Sequence, residues 1–313
     1  NLGVIEGEST DYILAALEQY SSYMVGGSFD TTYFLVDKDD GGHDDSDESW
    51  QLNPVTGEYV VGPQRVPFSC TLPTAESGGE QPYDVVLFGH GYGTSRFDYF
   101  PLSYVFNQYG YAVCSMDFPG HGTSIDGDLA VVESVLAVND IGDLLVHLQD
   151  SRYRDLNNDG LPDSGGDQWT ADVFHTRDMV RQGVVDWMQM LKSFRECGQG
   201  TMIFSDGSSG SSCDWDRDGV PDIGTEDAQY FVLGGSLGGI ATAVAAAFMP
   251  EVDAFAPIAG GAGLIDMALR TEIGGAVEAM EGRLMSPLFL GIPNEEGTID
   301  IVQMVNSERD IVS

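Results

Sequence analysis

Short apolar runs recur along the chain, each closed by glycine or a turn. "RVPFSCTLP" (65–73) alternates, and "YDVVLFGHGYG" (83–93), "YAVCSMDFPGHG" (111–122), "AQYFVLGGS" (228–236) and "VDAFAPIAGG" (252–261) read as buried strands. Between them the apolar spacing turns helical. Residues 9–24 predict an amphipathic helix capped by Ser9 or Thr10, and 96–110 a helix whose start is limited by Pro101. Leu129, Val132, Leu136, Leu144 and Leu148 place a helix within 128–150. Val180, Val184, Trp187, Met188, Leu191 and Phe194 place another over 176–194, with Thr176 as its cap and Asp178 favourable in its first turn. "LGGIATAVAAAF" (237–248) follows the fourth run as a helix. The stretch 36–49 reads as an acidic loop, and 264–313, broken by Gly and Pro, as short helices.

Strands alternating with helices imply a mostly parallel sheet with crossovers, which binds ligands beyond the carboxyl ends of its strands. His90–Gly93, Asp117–Gly122 and Gly234–Gly238 fall at those ends. The chain divides into a lead-in (1–64), the first half of the sheet (65–124), a helical insertion (125–228), and the segment 229–313 with the last strands and a lid-like tail.

Charge narrows the partners. Against 50 Asp+Glu the chain has 13 Lys+Arg, a net charge of -37, and no clustered bases. Nucleic acid and anionic membrane surfaces are thereby disfavoured. No apolar run is long enough to span a bilayer. The acidity suits a protein that works in salt, binds divalent cations or must stay soluble outside a cell, and an exported protein, secreted or at the cell surface, is expected.

Of the cysteines, Cys197 and Cys213 bracket a Gly/Ser-rich loop and are expected to form a disulfide. Cys114, in an apolar run, reads as a buried thiol. No C-x-x-C pair is present, which argues against zinc or thioredoxin-type chemistry.

Gly234-Gly235-Ser236-Leu237-Gly238 fits G-x-S-x-G between a strand and a helix, the context that presents a serine nucleophile. The Leu237 N–H is one candidate oxyanion donor, and the Tyr92 N–H in "GHGYG" the other. His90 is expected to bond loop backbone rather than transfer protons. All five histidines precede Ser236, whereas this motif's acid and base follow the serine.

"LFGHGYG", "MDFPGHG" and "GGSLGG", in this order, resemble the α/β-hydrolases. "HTRDMVRQGVVDWMQML" and "PIAGGAGLIDMAL" resemble the large exported bacterial lipases and esterases of the virulence-factor lipase type. The resemblance covers about residues 65–124, 172–196 and 228–290. It implies an exported bacterial protein with Ser236 as nucleophile, an oxyanion hole of Tyr92 and Leu237, and a small hydrophobic or lipid ester as substrate. The acid and histidine it requires have no counterpart after "PIAGG". Asp300 and Asp310 follow no buried strand, so neither is assigned. The missing strands are expected as further chain or as a second polypeptide that remains bound.

Two loops predict separate chemistry. "DLNNDGLPD" sets Asp155, Asn157, Asp159 and Asp163 at positions 1, 3, 5 and 9, with the Leu161 carbonyl at 7. "DWDRDGVPD" repeats this with Asp214, Asp216, Asp218 and Asp222, and the Val220 carbonyl at 7. Alternating oxygens with glycine at position 6 suit Ca2+. The loops resemble thrombospondin-type or dockerin-type calcium loops. Gly166 and Thr225 stand where a bidentate Glu would be expected, leaving Asp167 or Glu226 as substitutes. The expectation is therefore a serine carboxylic-ester hydrolase stapled by structural calcium. The alternative is a non-catalytic calcium-binding surface or assembly protein on a disabled hydrolase fold.

Overall fold

The computed structural model describes residues 8–36, 48–123, 150–156, 163–169, 172–203, 209–261, 263–264, 292–293 and 299–300. In chain order the helices are α1 (Glu8–Tyr20), α2 (Ser103–Asn107), α3 (Val173–Glu196) and α4 (Leu237–Ala245). The strands are β1 (Ser21–Tyr33), β2 (Leu35–Val36), β3 (Ser49–Trp50), β4 (Gly62–Pro73), β5 (Val85–Gly89), β6 (Ala112–Met116), β7 (Thr201–Ile203), β8 (Ser209–Ser211), β9 (Tyr230–Gly235), β10 (Ala254–Ile258), β11 (Ile292–Pro293) and β12 (Ile299–Asp300).

Six strands form the central sheet in the order β1-β4-β6-β5-β9-β10. β6, β5, β9 and β10 run parallel, while β4 joins β6 and β1 joins β4 antiparallel. β5 and β6 are buried throughout, as apolar runs covered on both faces must be. The result is a mostly parallel central sheet flanked by helices, with a glycine-flanked serine directly after β9. The helix within 128–150, apart from Asp150, and most of the tail 264–313 lie outside the described residues; within that tail, expected as short helices, β11 and β12 instead pair as antiparallel strands.

Helix α1 ends at Tyr20, not at residue 24, and a 13-residue strand begins at once. The alternation is present in the sequence: Tyr23, Val25, Phe29 and Tyr33 share one face. Gly27 interrupts it because Phe68 lies opposite on β4, where a Cβ would come within 2.8 Å of the ring. Phe68 occupies the space that a side chain at this position would fill.

Helix α3 starts a turn earlier than expected. Asp172, not Thr176, is the cap, accepting from Phe174 N–H at 2.8 Å and His175 N–H at 3.3 Å. Asp178 is buried farther along, where it accepts from Trp50 N–H. Val180, Val184, Trp187, Leu191 and Phe194 face the core as their spacing predicts, whereas Met188 is 44% exposed. The helix expected over 96–110 reduces to a 3-10 turn at Phe100–Leu102 and the five residues of α2. Cys114 is not a thiol. It is bonded to Cys70, its register partner across β4 and β6. Cys197 and Cys213 are joined as expected.

Candidate active site

Ser236 sits between β9 and α4 with φ 54° and ψ -113°, in a region that L-residues seldom occupy. It is exposed. Backbone on both sides holds this conformation: Ser236 N–H donates to Ile258 C=O, and Ser236 C=O accepts from Ile240 N–H, both at 3.0 Å. The flanking glycines are required by close approach. A Cβ on Gly234 would lie 2.2 Å from the Gly238 carbonyl oxygen, and one on Gly238 would lie 2.1 Å from that of Gly89. The elbow is thus packed backbone to backbone against the end of β5.

The loop after β5 is locked to that elbow. The His90 carbonyl accepts the Gly238 N–H at 3.0 Å, which commits this donor to structure. The Leu237 N–H, the first of α4, has no acceptor among the described residues. Within the loop, Asp98 accepts from Gly91 N–H and the Thr94 hydroxyl, both at 3.2 Å. Tyr92 follows on this fixed backbone, its ring 6.0 Å from that of His121 and 6.4 Å from that of Trp169. The arrangement keeps the Tyr92 and Leu237 segments on one rim of the sheet.

The described histidines are structural. His90 is fully buried: its Nδ1–H donates to Gly91 C=O at 2.8 Å, and its Nε2 accepts from Phe118 N–H at 2.9 Å. Burial holds its pKa well below 6.5, and nearby His121 adds to this. His121 bonds the Pro119 carbonyl through Nδ1 and leaves Nε2 buried without a partner; burial lowers its pKa too. His175 bridges the carbonyls of Glu48 and Asp167. His43 and His147 lie outside the described residues.

Buried ion pairs, not singled out by sequence reasoning, brace the rim. Asp117, directly after β6, accepts from Arg96 N–H at 2.6 Å and from the Arg96 guanidinium. Burial pushes the Asp117 carboxyl up to about 6, while Arg96 opposes the shift. Arg152 binds Asp186, and Arg154 joins Glu48 to Asp167. Asp117 lies in "MDFPGHG", so its position at a strand end was the available signal. The arginines had none, because their partners are distant in sequence.

The two acidic loops differ in place: the first closes against the rim, where the Ser164 hydroxyl donates to Thr94 C=O at 3.1 Å, and the second lies away from Ser236. In the second, Asp214, Asp216 and Asp218 bring carboxylate oxygens within 4.8 Å of one another. Asp222 is not part of that group. Its Oδ1 accepts from the Tyr23 hydroxyl and the Gln81 amide, and its Oδ2 from the Trp215 and Asp216 N–H groups. Glu226 is exposed and outside the group. In the first loop, 157–162 lie outside the described residues, and with them Asn157, Asp159 and Leu161. Its ends close as the second loop's do. Asp163 N–H bonds Arg154 C=O as Asp222 N–H bonds Cys213 C=O, and each carboxylate accepts the N–H of the loop's second residue, Leu156 or Trp215. Asp167 is committed to Arg154 through Oδ2.

No protein-family model and no curated protein matches this chain. Solved structures similar to it include 2,6-dihydroxy-pseudo-oxynicotine hydrolase, at 15% identity and TM-score 0.37, covering 70% of this chain and 40% of that one. A carboxyl esterase from Bacillus coagulans is similar at 15% identity and TM-score 0.31, covering 72% and 41%. A ferulic acid esterase from Streptomyces cinnamoneus is similar at 14% identity and TM-score 0.39, covering 76% and 59%. The chain spans about 40% of the length of the first two.

Proposed function

We propose that this chain carries the nucleophile of a serine carboxylic-ester hydrolase that works through an acyl-enzyme. The observation behind this reading is Ser236 itself: an exposed hydroxyl-bearing residue held at positive φ, on a turn closed by two glycines that tolerate no Cβ. In the reaction, Oγ bonds to the ester carbonyl carbon, its proton passes through a base to the leaving alkoxide, and water later releases the acid. The Leu237 and Tyr92 N–H groups are the proposed oxyanion donors. The Gly238 N–H is excluded, being spent on His90 C=O.

Neither acid nor base is assigned: His90, His121 and His175 are buried and bonded to backbone. Among the described residues β10 is an edge strand, with Ile258 56% exposed. A hydrophobic or lipid ester is the proposed substrate class. Two disulfides support export to an oxidising compartment. No described helix is long and apolar enough to cross a membrane. The non-catalytic reading is favoured by one observation: His90, His121 and His175 are all fully buried.

A fluorophosphonate separates the two readings. Labelling at Ser236, with turnover of a short-chain nitrophenyl ester, supports the hydrolase. Absence of label and turnover in the natively purified protein supports the non-catalytic reading.

A further inference from the structure

The turn at 214–222 lies at the opposite ends of the strands from Ser236. Tyr83, just before β5, donates its N–H to Asp222 C=O at 2.8 Å and forms a parallel bridge with Ile223. The neighbouring disulfide, Cys197–Cys213, ties the same turn to the end of α3. Whatever organises this turn acts on the base of the sheet.

Each of three carboxylates gives one oxygen to the turn. Asp214 Oδ2 accepts from Gly219 N–H at 3.1 Å, Asp216 Oδ1 from Asp218 N–H at 3.0 Å, and Asp218 Oδ1 from Val220 N–H at 2.8 Å. Asp214 is only 5% exposed, and its other oxygen, Oδ1, is buried with no donor. A buried carboxylate oxygen left unpaired is costly, and Asp216 and Asp218 add like charge within 4.8 Å. A hard cation satisfies all three groups together. Oxygen donors alone, on a turn open to water at Asp216 and Asp218, favour calcium, which takes six to eight oxygens in variable geometry, over the smaller, strictly octahedral magnesium.

We infer that Asp214, Asp216 and Asp218 bind one calcium ion, with Asp222 acting as the clamp that fastens the loaded turn to β1 and the start of β5. The ninth-position carboxylate is therefore not a ligand. It has four donors of its own and is fully buried. The Val220 carbonyl, at the seventh position, is the backbone group assigned to complete the shell, and water supplies the rest. This inference is independent of the catalytic reading, because none of these residues belongs to the elbow.

Trp215, between two of the ligands, provides the readout. Terbium, a calcium mimic with oxygen-ligand chemistry, should emit when Trp215 is excited in the chelator-stripped full chain at about 0.15 M salt, where long-range attraction to the acidic surface is screened. Calcium should displace it, and magnesium should do so only at far higher concentration. Trp215→Phe should remove the emission while calcium binding by calorimetry persists. Asp218→Asn, at an exposed position that leaves the fold intact, should weaken terbium binding by about tenfold or more. In Asp222→Asn the amide still accepts from Trp215 N–H, and Gln81 can turn its own amide to match. Binding should therefore stay within about twofold, while the thermal midpoint falls with and without calcium. Unchanged terbium affinity in Asp218→Asn would overturn the site. A loss in Asp222→Asn equal to that in Asp218→Asn would overturn the division between ligands and clamp.

Discussion

The two ends of β5 and β9 are built from opposite materials. At the carboxyl ends, the Ser236 elbow is made of backbone: glycines in contact, a carbonyl-to-amide bond from His90 to Gly238, and an unusual φ at the serine. At the amino ends, the 214–222 turn is made of carboxylates, with Asp222 taking donors from β1, from Gln81 and from its own turn. Backbone contact tolerates no added atom but needs no ligand. A carboxylate turn tolerates substitution at its rim but carries unbalanced charge. The elbow should therefore fail through sterics, and the turn through charge.

The comparison is tested most severely at Ser236. Ser236→Ala should lower ester turnover by about 10^4-fold or more, while thermal stability stays within about 0.5 kcal/mol. Measuring nitrophenyl ester hydrolysis beside a thermal melt checks both halves. Retained turnover would remove Ser236 from the chemistry.

Gly238→Ala should damage the same end differently. Its Cβ would meet the Gly89 carbonyl oxygen at 2.1 Å, with backbone on both sides and nothing flexible to yield. A loss of order 4 kcal/mol in chemical denaturation is expected, together with loss of fluorophosphonate labelling. A variant that is stable yet still labels would show that the elbow can relax, and the contrast with the turn would weaken.

At the other end, replacing both Cys197 and Cys213 with serine should cost about 3 kcal/mol by the loop-entropy argument. Labelling at Ser236 should persist in whatever fraction remains folded. If labelling falls further than folding does, the two ends are coupled and cannot be treated separately.

Legibility in the sequence followed the same division. The elbow was readable because strand, Gly-x-Ser-x-Gly and helix are contiguous, so one local pattern contains most of its physics. The acidic turn was readable in its spacing but not in its hydrogen bonds. Asp222 has the position of a ligand, yet its donors include Tyr23 and Gln81, which only the folded sheet brings near. The Cys70–Cys114 bond was hidden for the same reason. The two residues face one another only because β4 lies beside β6, an adjacency that sequence order does not provide. Strand β1 was obscured by Gly27, which breaks its alternation where Phe68 needs the space.

The smallest expected effect is a pH dependence confined to the elbow end. His90 and His121 lie with ring centroids 5.1 Å apart, both held neutral by burial with pKa values below 6.5. Around His121, the Pro119 hydrogen bond and Asp167 oppose the lowering, and Arg152 adds to it. A histidine with a depressed pKa in the folded state binds its proton more readily when unfolded. Its stabilising contribution is complete above about pH 6.5 and is lost as pH falls toward the folded pKa. Asp117, raised to about 6, works in the opposite sense: its contribution is lost as pH rises from the ordinary carboxylate range through about 6. His121→Asn isolates one group, because an asparagine amide can keep the bond to Pro119 C=O while removing the buried, unpartnered Nε2. Asp117 and His90 are common to both proteins and cancel in the difference to first order. Below about pH 6.5 the wild type should lose stability more steeply than His121→Asn, by up to about 1.4 kcal/mol per pH unit, the value for one proton. Urea midpoints at pH 7.5 and 5.5 measure this. Equal pH dependence in the two proteins would mean that His121 does not titrate differently on unfolding, and that the elbow end, like the carboxylate end, owes its acid sensitivity to other groups.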